Sequence, residues 1–147
     1  MAERLDIVYD PDLIEQVASD FDLRKPNKNA LKKLVQRIDE GEYDPAVMQV
    51  MNLATGVGKT YLMAAFVEYL RLQGVGNVVI VTPGKVVQAK TRLNFTPGSN
   101  RFIAGAAIPP EVVTPQDYGA WIARMNGPSA ATRGQDSPTL AFVFNIQ

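Results

Sequence analysis

An α/β fold built on a parallel sheet is what this sequence predicts, and three observations predict it. A glycine loop, Ala54-Thr55-Gly56-Val57-Gly58, separates a short apolar run at residues 47–53 from a strongly apolar stretch of helical length at 60–73. Gly74 and Gly76 break that stretch, and a second apolar run follows at 77–82. Strand, loop, helix and strand in that order form the crossover unit from which parallel sheets are assembled. The 147 residues are 46% hydrophobic and 20% charged, which suits a soluble globular chain large enough to bury a core.

The first element is a helix. Asp10 is a good N-cap, Pro11 fits the first helical position, and Leu13, Ile14, Val17, Ala18 and Phe21 recur at helical spacing. A second helix opens near Pro26-Asn27. Ala30, Leu31, Leu34, Val35 and Ile38 make its apolar stripe, Lys28, Lys32, Lys33 and Arg37 lie largely off it, and Gly41 ends it. Residues 47–53 are short and mostly apolar, the pattern of a buried strand. The helix over 60–73 has little polar face, so cover is expected on most sides, and 77–82 reads as a second buried strand. Beyond it the pattern predicts a short helix at 85–92, short strands at 101–104 and 112–114, and a helix over about 116–125. A Gly/Pro/Ser/Thr-rich loop at 126–138 and a last strand at 139–145 complete the chain. Two domains are expected: a helical extension over 1–44 and a nucleotide-binding domain over 45–147.

Composition excludes several chemistries. With no Cys there is no disulfide, thiolate nucleophile or Cys-ligated zinc, and with no His there is no Ser-His-Asp triad or imidazole base. The N-terminus lacks the basic start and apolar stretch of a signal peptide, and no apolar run approaches the roughly 18 residues of a membrane span. A cytoplasmic location is the expectation. The 15 basic and 15 acidic residues balance, but unevenly along the chain. Residues 1–44 hold seven basic and eleven acidic side chains, and 45–147 hold eight and four. That mild basic excess permits polyanion binding and equally permits plain solvated charge.

The chemistry concentrates in Ala54-Thr55-Gly56-Val57-Gly58-Lys59-Thr60. Loop glycines allow backbone N–H groups to turn toward a phosphate chain, and the helix that follows presents its positive dipole end to the same charge. Lys59 supplies a mobile cation for the β- and γ-phosphates of ATP, and the Thr60 hydroxyl can join a Mg²⁺ shell. The common pattern G-x-x-x-x-G-K-[ST] departs here at its first glycine, where Leu53 stands.

A-T-G-x-G-K-T after an apolar run resembles motif I of the superfamily 2 (DEAD/DEAH-box) helicases and translocases. Upstream, Leu23-Arg24-Lys25-Pro26-Asn27-Lys28-Asn29-Ala30-Leu31 is similar to the L-R-x-x-Q-x-x-A-L segment by which these enzymes hold adenine, with Asn27 in place of Gln. Downstream, residues 79–88 resemble motif Ia, and Val112-Val113-Thr114-Pro115 is similar to motif Ib. Together they most resemble the ATPase (Res) subunit of type III restriction enzymes. The resemblance implies a partial RecA-like P-loop domain with ATP and Mg²⁺ as cofactors. It implies that Thr55, Gly56, Val57, Gly58, Lys59 and Thr60 hold the triphosphate, with Lys59 and Thr60 catalytic and Thr60 on the metal. Arg24 and Asn27 would approach the adenine, although a helix-start donor and an N-cap are equal alternatives for them. Pro83, Gly84, Lys85, Gln88 and Thr114 would grip nucleic-acid backbone. Double-stranded DNA and a DNA-modification (methyltransferase) subunit are the partners implied.

Hydrolysis also requires carboxylates that hold the metal's water shell and orient the attacking water. After Thr60 the acidic residues are Glu68, Glu111, Asp117 and Asp136, and none belongs to an Asp-Glu pair. The expectation is an N-terminal piece of a longer motor that precedes the D-E-x-H/D motif. A catalytically incomplete ATP- or DNA-binding module and an unrelated P-loop kinase or ATPase remain as alternatives.

Overall fold

The computed structural model describes residues 4–41, 44–54, 56, 58–125 and 136–146. The chain divides into two compact units, Met1–Gln73 and Gly74–Gln147.

Among the described residues the first unit is helical. Helix α1, Pro11–Asp20, is capped by Asp10, whose carboxylate accepts from Asp12 N at 3.0 Å and Leu13 N at 3.1 Å. It ends in a left-handed turn at Asp22 (φ 49°), with Leu23 N donating to Ala18 O and Asp22 N to Ser19 O. That pair of bonds satisfies carbonyls the helix end would otherwise leave orphaned. Helix α2, Lys25–Asp39, buries Leu31, Val35 and Ile38, the stripe its sequence predicts. Helix α3, Lys59–Leu72, is buried on most sides, including the polar pair Glu68 and Arg71. Each of the three helices packs on the other two. Side chains of α2 and α3, and Gln73 just beyond α3, tie down the segment before α1. Val8 N donates to Gln73 Oε1, Tyr9 N to Asp39 Oδ2, and Asp10 N to the Tyr69 hydroxyl, which itself donates to Val8 O.

The predicted strand at 47–53 does not form. Asp44 and Pro45 open a turn in which Ala46 N donates to Asp44 Oδ1 and Val47 N to Asp44 O, and the segment then runs without ladder bonds. Val47, Met48 and Val50 are 57%, 84% and 80% exposed. The reason is the lack of a template: an apolar run becomes a strand only beside another strand, and the described elements of its own unit are helices.

The second unit holds a three-stranded parallel sheet of β1 (Asn77–Thr82), β2 (Glu111–Val113) and β3 (Leu140–Asn145), in the order β1-β3-β2. The register pairs Asn77 with Leu140 through to Thr82 with Asn145, and Glu111–Val113 with Leu140, Ala141 and Phe142. Central β3 is buried from Leu140 to Val143, and Val113, Leu140 and Phe142 form a core against which Phe144 packs. Helix α4, Lys85–Asn94, packs on β1 and β3. Pro115–Asp117 make a 3-10 turn that leads into α5, Tyr118–Met125.

Two further expectations need correction. Strand β1 is an edge strand rather than one buried on both faces, and Val79 and Val81 remain 65% and 55% exposed. The run at 101–104 forms no strand: Ile103 N donates to Asn94 O, which folds it against the end of α4. Most of the predicted loop at 126–138 lies outside the described residues.

Candidate functional site

Gly56 and Gly58 both take left-handed backbone, φ 82° and 84°, a conformation that costs other L-residues roughly 1–2 kcal/mol. Gly58 is the N-cap of α3, and its carbonyl accepts the helix's first bond, from Leu62 N. Lys59 is exposed and Thr60 half-buried in the opening turn, so the ammonium and the hydroxyl stand beside the unsatisfied N–H groups of a 14-residue helix. Thr55 and Val57 lie outside the described residues.

Arg24 and Asn27 meet this loop. Arg24 Nη1 donates to Gly56 O at 3.1 Å and Asn27 Nδ2 to Gly58 O at 3.2 Å. Neither acts as a side-chain cap: the N-cap of α2 is Arg24, without a capping side-chain bond, and Asn27 is the third helical residue, 1% exposed. A cavity of about 250 Å³ opens here, lined by Asp22, Leu23, Arg24, Asn27, Gly56, Gly58 and Tyr61. Tyr61 escaped the sequence reading. Its only signal there is its position, an aromatic directly after Gly58-Lys59-Thr60.

The residues assigned by resemblance to nucleic acid fall in the second unit. Lys85, Gln88 and Thr114 line one open groove together with Arg92, Thr96 and Gln116. Gly84 caps α4 from extended backbone, and Pro83 is exposed just before it. Two of these side chains are already engaged. Gln88 Nε2 donates to Val143 O at 2.9 Å, fastening α4 to the sheet. The Thr114 hydroxyl donates to Asp117 Oδ2 at 2.8 Å, and Thr114 N donates to the same oxygen. These bonds, the hydroxyl's first, hold the Asp117 carboxyl below the usual carboxylate range. The exposed cations of the groove are Lys85 and Arg92. Their spacing with Gln88 (i, i+3, i+7) places all three on one face of α4, a pattern from which Arg92 could have been read.

Left-handed glycines, then Lys59 and Thr60 at the start of a long helix, match the P-loop pattern at the loop and helix, while no strand precedes the loop among the described residues. The model of the type III restriction enzyme res subunit family matches residues 20–109, from the end of α1 past the glycine loop, β1 and α4. The chain belongs to that family: it carries a helicase-like ATPase domain with a partial RecA-like fold. Comparison with curated proteins and with solved structures returns no match. Among the described residues, no helix is long and apolar enough to cross a membrane.

Proposed function

We propose that this chain binds Mg-ATP at residues 54–60 and that, in the full-length protein, hydrolysis there drives movement along double-stranded DNA beside a DNA-modification methyltransferase subunit. The observation that carries the nucleotide reading is the left-handed pair Gly56 and Gly58 set against the N-terminus of α3. The donors present fit a triphosphate: backbone N–H groups at the helix start, the Lys59 ammonium and the Thr60 hydroxyl. Lys59 neutralises charge on the β- and γ-phosphates, and Thr60 offers one oxygen to Mg²⁺. The metal, when bound, offsets charge on the phosphate oxygens. Arg24 and Asn27 hold the carbonyls of Gly56 and Gly58. Lys85 and Arg92 supply cations for a DNA backbone, with Pro83, Gly84, Gln88 and Thr114 shaping the surface around them.

A second reading, nucleotide binding without turnover by this chain alone, is favoured by two of the four carboxylates that follow Thr60. Glu68 is committed to Arg71, and Asp117 to Thr114. Calorimetry with Mg-ATP tests the cradle: affinity is expected for the wild type and lost in Lys59→Ala, and equal affinity in both would remove the reading. Steady-state ATPase assays with and without duplex DNA are expected to show turnover near background. Robust DNA-stimulated hydrolysis abolished by Lys59→Ala would overturn the second reading in favour of a complete motor.

A further inference from the structure

The cavity beside the glycine loop divides by chemistry. On its polar side, Arg24 Nη1 donates to Gly56 O and Asn27 Nδ2 to Gly58 O. The neighbouring surface is different in kind. Tyr61 is 47% exposed, its ring edge reaches to 4.0 Å of where a Gly58 Cβ would stand, and Leu23 lines the same cavity. The half-exposed Tyr61 ring and Leu23 together give this cavity an apolar wall with a flat π-face beside the glycine loop. At about 250 Å³ the space falls just below the roughly 300–1,000 Å³ of sites that take a whole drug-sized ligand. That volume is on the scale of a single ring system rather than a whole nucleotide.

We propose that Tyr61 is the platform on which the base of the bound nucleotide stacks, and that Arg24 and Asn27 act as positioning residues for the loop. This rests on the Mg-ATP reading of residues 54–60 and adds to it the residue that recognises the base. Stacking reads a π-face and not a hydrogen-bonding edge, so Tyr61 gives affinity for nucleotides over bare polyphosphate without choosing among purines.

Calorimetry on the full chain with two probes, Mg-ATP and Mg-tripolyphosphate, separates these roles. Tyr61→Ala is expected to weaken Mg-ATP about tenfold and to leave tripolyphosphate unchanged, and Tyr61→Phe is expected to keep both affinities. Arg24→Ala is expected to weaken both probes alike. An unchanged ATP affinity in Tyr61→Ala, or an equal loss for the two probes, would overturn the assignment, because the ring would then touch no base or act only through the loop. If the wild type bound neither probe, the phosphate-cradle reading would fail and this one with it. If Lys59→Ala lost both probes while Tyr61→Ala lost neither, the cradle would stand and the platform alone would fall.

Discussion

The side-chain amide of Asn27 lies 3.2 Å from the carbonyl oxygen of Gly58, and 3.1 Å from the position a Cβ on Gly58 would occupy. Helix α2 and the glycine loop therefore fit with room for a hydrogen on Gly58 and little more. The amide itself is 1% exposed, so the bond is shielded from competing water.

This contact predicts two distinguishable defects. Gly58→Ala introduces left-handed strain of roughly 1–2 kcal/mol and pushes on Asn27, so both the urea midpoint and Mg-ATP affinity should fall. Asn27→Asp keeps the shape but replaces a donor with an acceptor facing a carbonyl, and should cost about 1–3 kcal/mol. Retention of wild-type stability and affinity in Asn27→Asp would show that the bond does not hold the loop.

Tyr69 gives a pH dependence. Its hydroxyl is buried, donating to Val8 O and accepting from Asp10 N, and burial raises its pKa above the ordinary 10.0, with the charges of Asp10 and Asp39 adding to the rise. The folded state therefore keeps a proton that the unfolded chain releases near pH 10. Stability is fully present below that pH and is lost as pH rises through the folded value. Urea titrations from pH 8 to 11 should show this alkaline fall, and Tyr69→Phe should flatten it while lowering stability at pH 8. An alkaline limb unchanged in Tyr69→Phe would assign the effect to other groups.

Much of this was legible because local chemistry and final structure agree. Asp10-Pro11 starts α1 as its capping chemistry requires, the apolar stripe of α2 is the buried one, and β1 occupies the predicted residues 77–82. The glycine loop was legible because only glycine takes φ near 83° cheaply at two positions out of three. What could not be read depends on neighbours. Val47, Met48 and Val50 carry strand propensity without a strand beside them, and β1 reads as buried although it is an edge. The bonds from Arg24 and Asn27 to loop carbonyls join residues about thirty positions apart, which periodicity cannot see. Gln88 and Thr114 were selected by resemblance, and the structure shows their polar groups bonded within the second unit.

Glu68 and Arg71 form an ion pair on α3 with side chains only 5% and 4% exposed. Removing one member leaves a charge in low dielectric, so Glu68→Ala should destabilise by about 3–5 kcal/mol. Replacing both with apolar residues of similar volume should recover most of that loss. Equal destabilisation in the single and double variants, by urea midpoint, would mean that packing rather than charge pairing sets the cost.

The groove on α4 separates contacts that hold the fold from contacts available to a ligand. Lys85 and Arg92 line it without a hydrogen-bond role in the sheet, whereas the Gln88 amide carries the bond to Val143 O. If duplex DNA lies there, each phosphate neutralised by a Lys or Arg adds about 0.9 to the slope of log affinity against log salt. Lys85→Ala and Arg92→Ala should each weaken duplex binding, reduce that slope by about 1 and leave the unfolding free energy from urea titration within about 0.5 kcal/mol of wild type. Gln88→Ala leaves the Val143 carbonyl without its partner, and should lower stability by about 1–3 kcal/mol with the salt slope preserved. The variants therefore move in opposite columns, binding for the cations and stability for the amide. A salt slope that drops in Gln88→Ala and holds in Lys85→Ala would reverse the assignment, because the phosphate would then sit on the amide and the lysine would be ordinary surface charge.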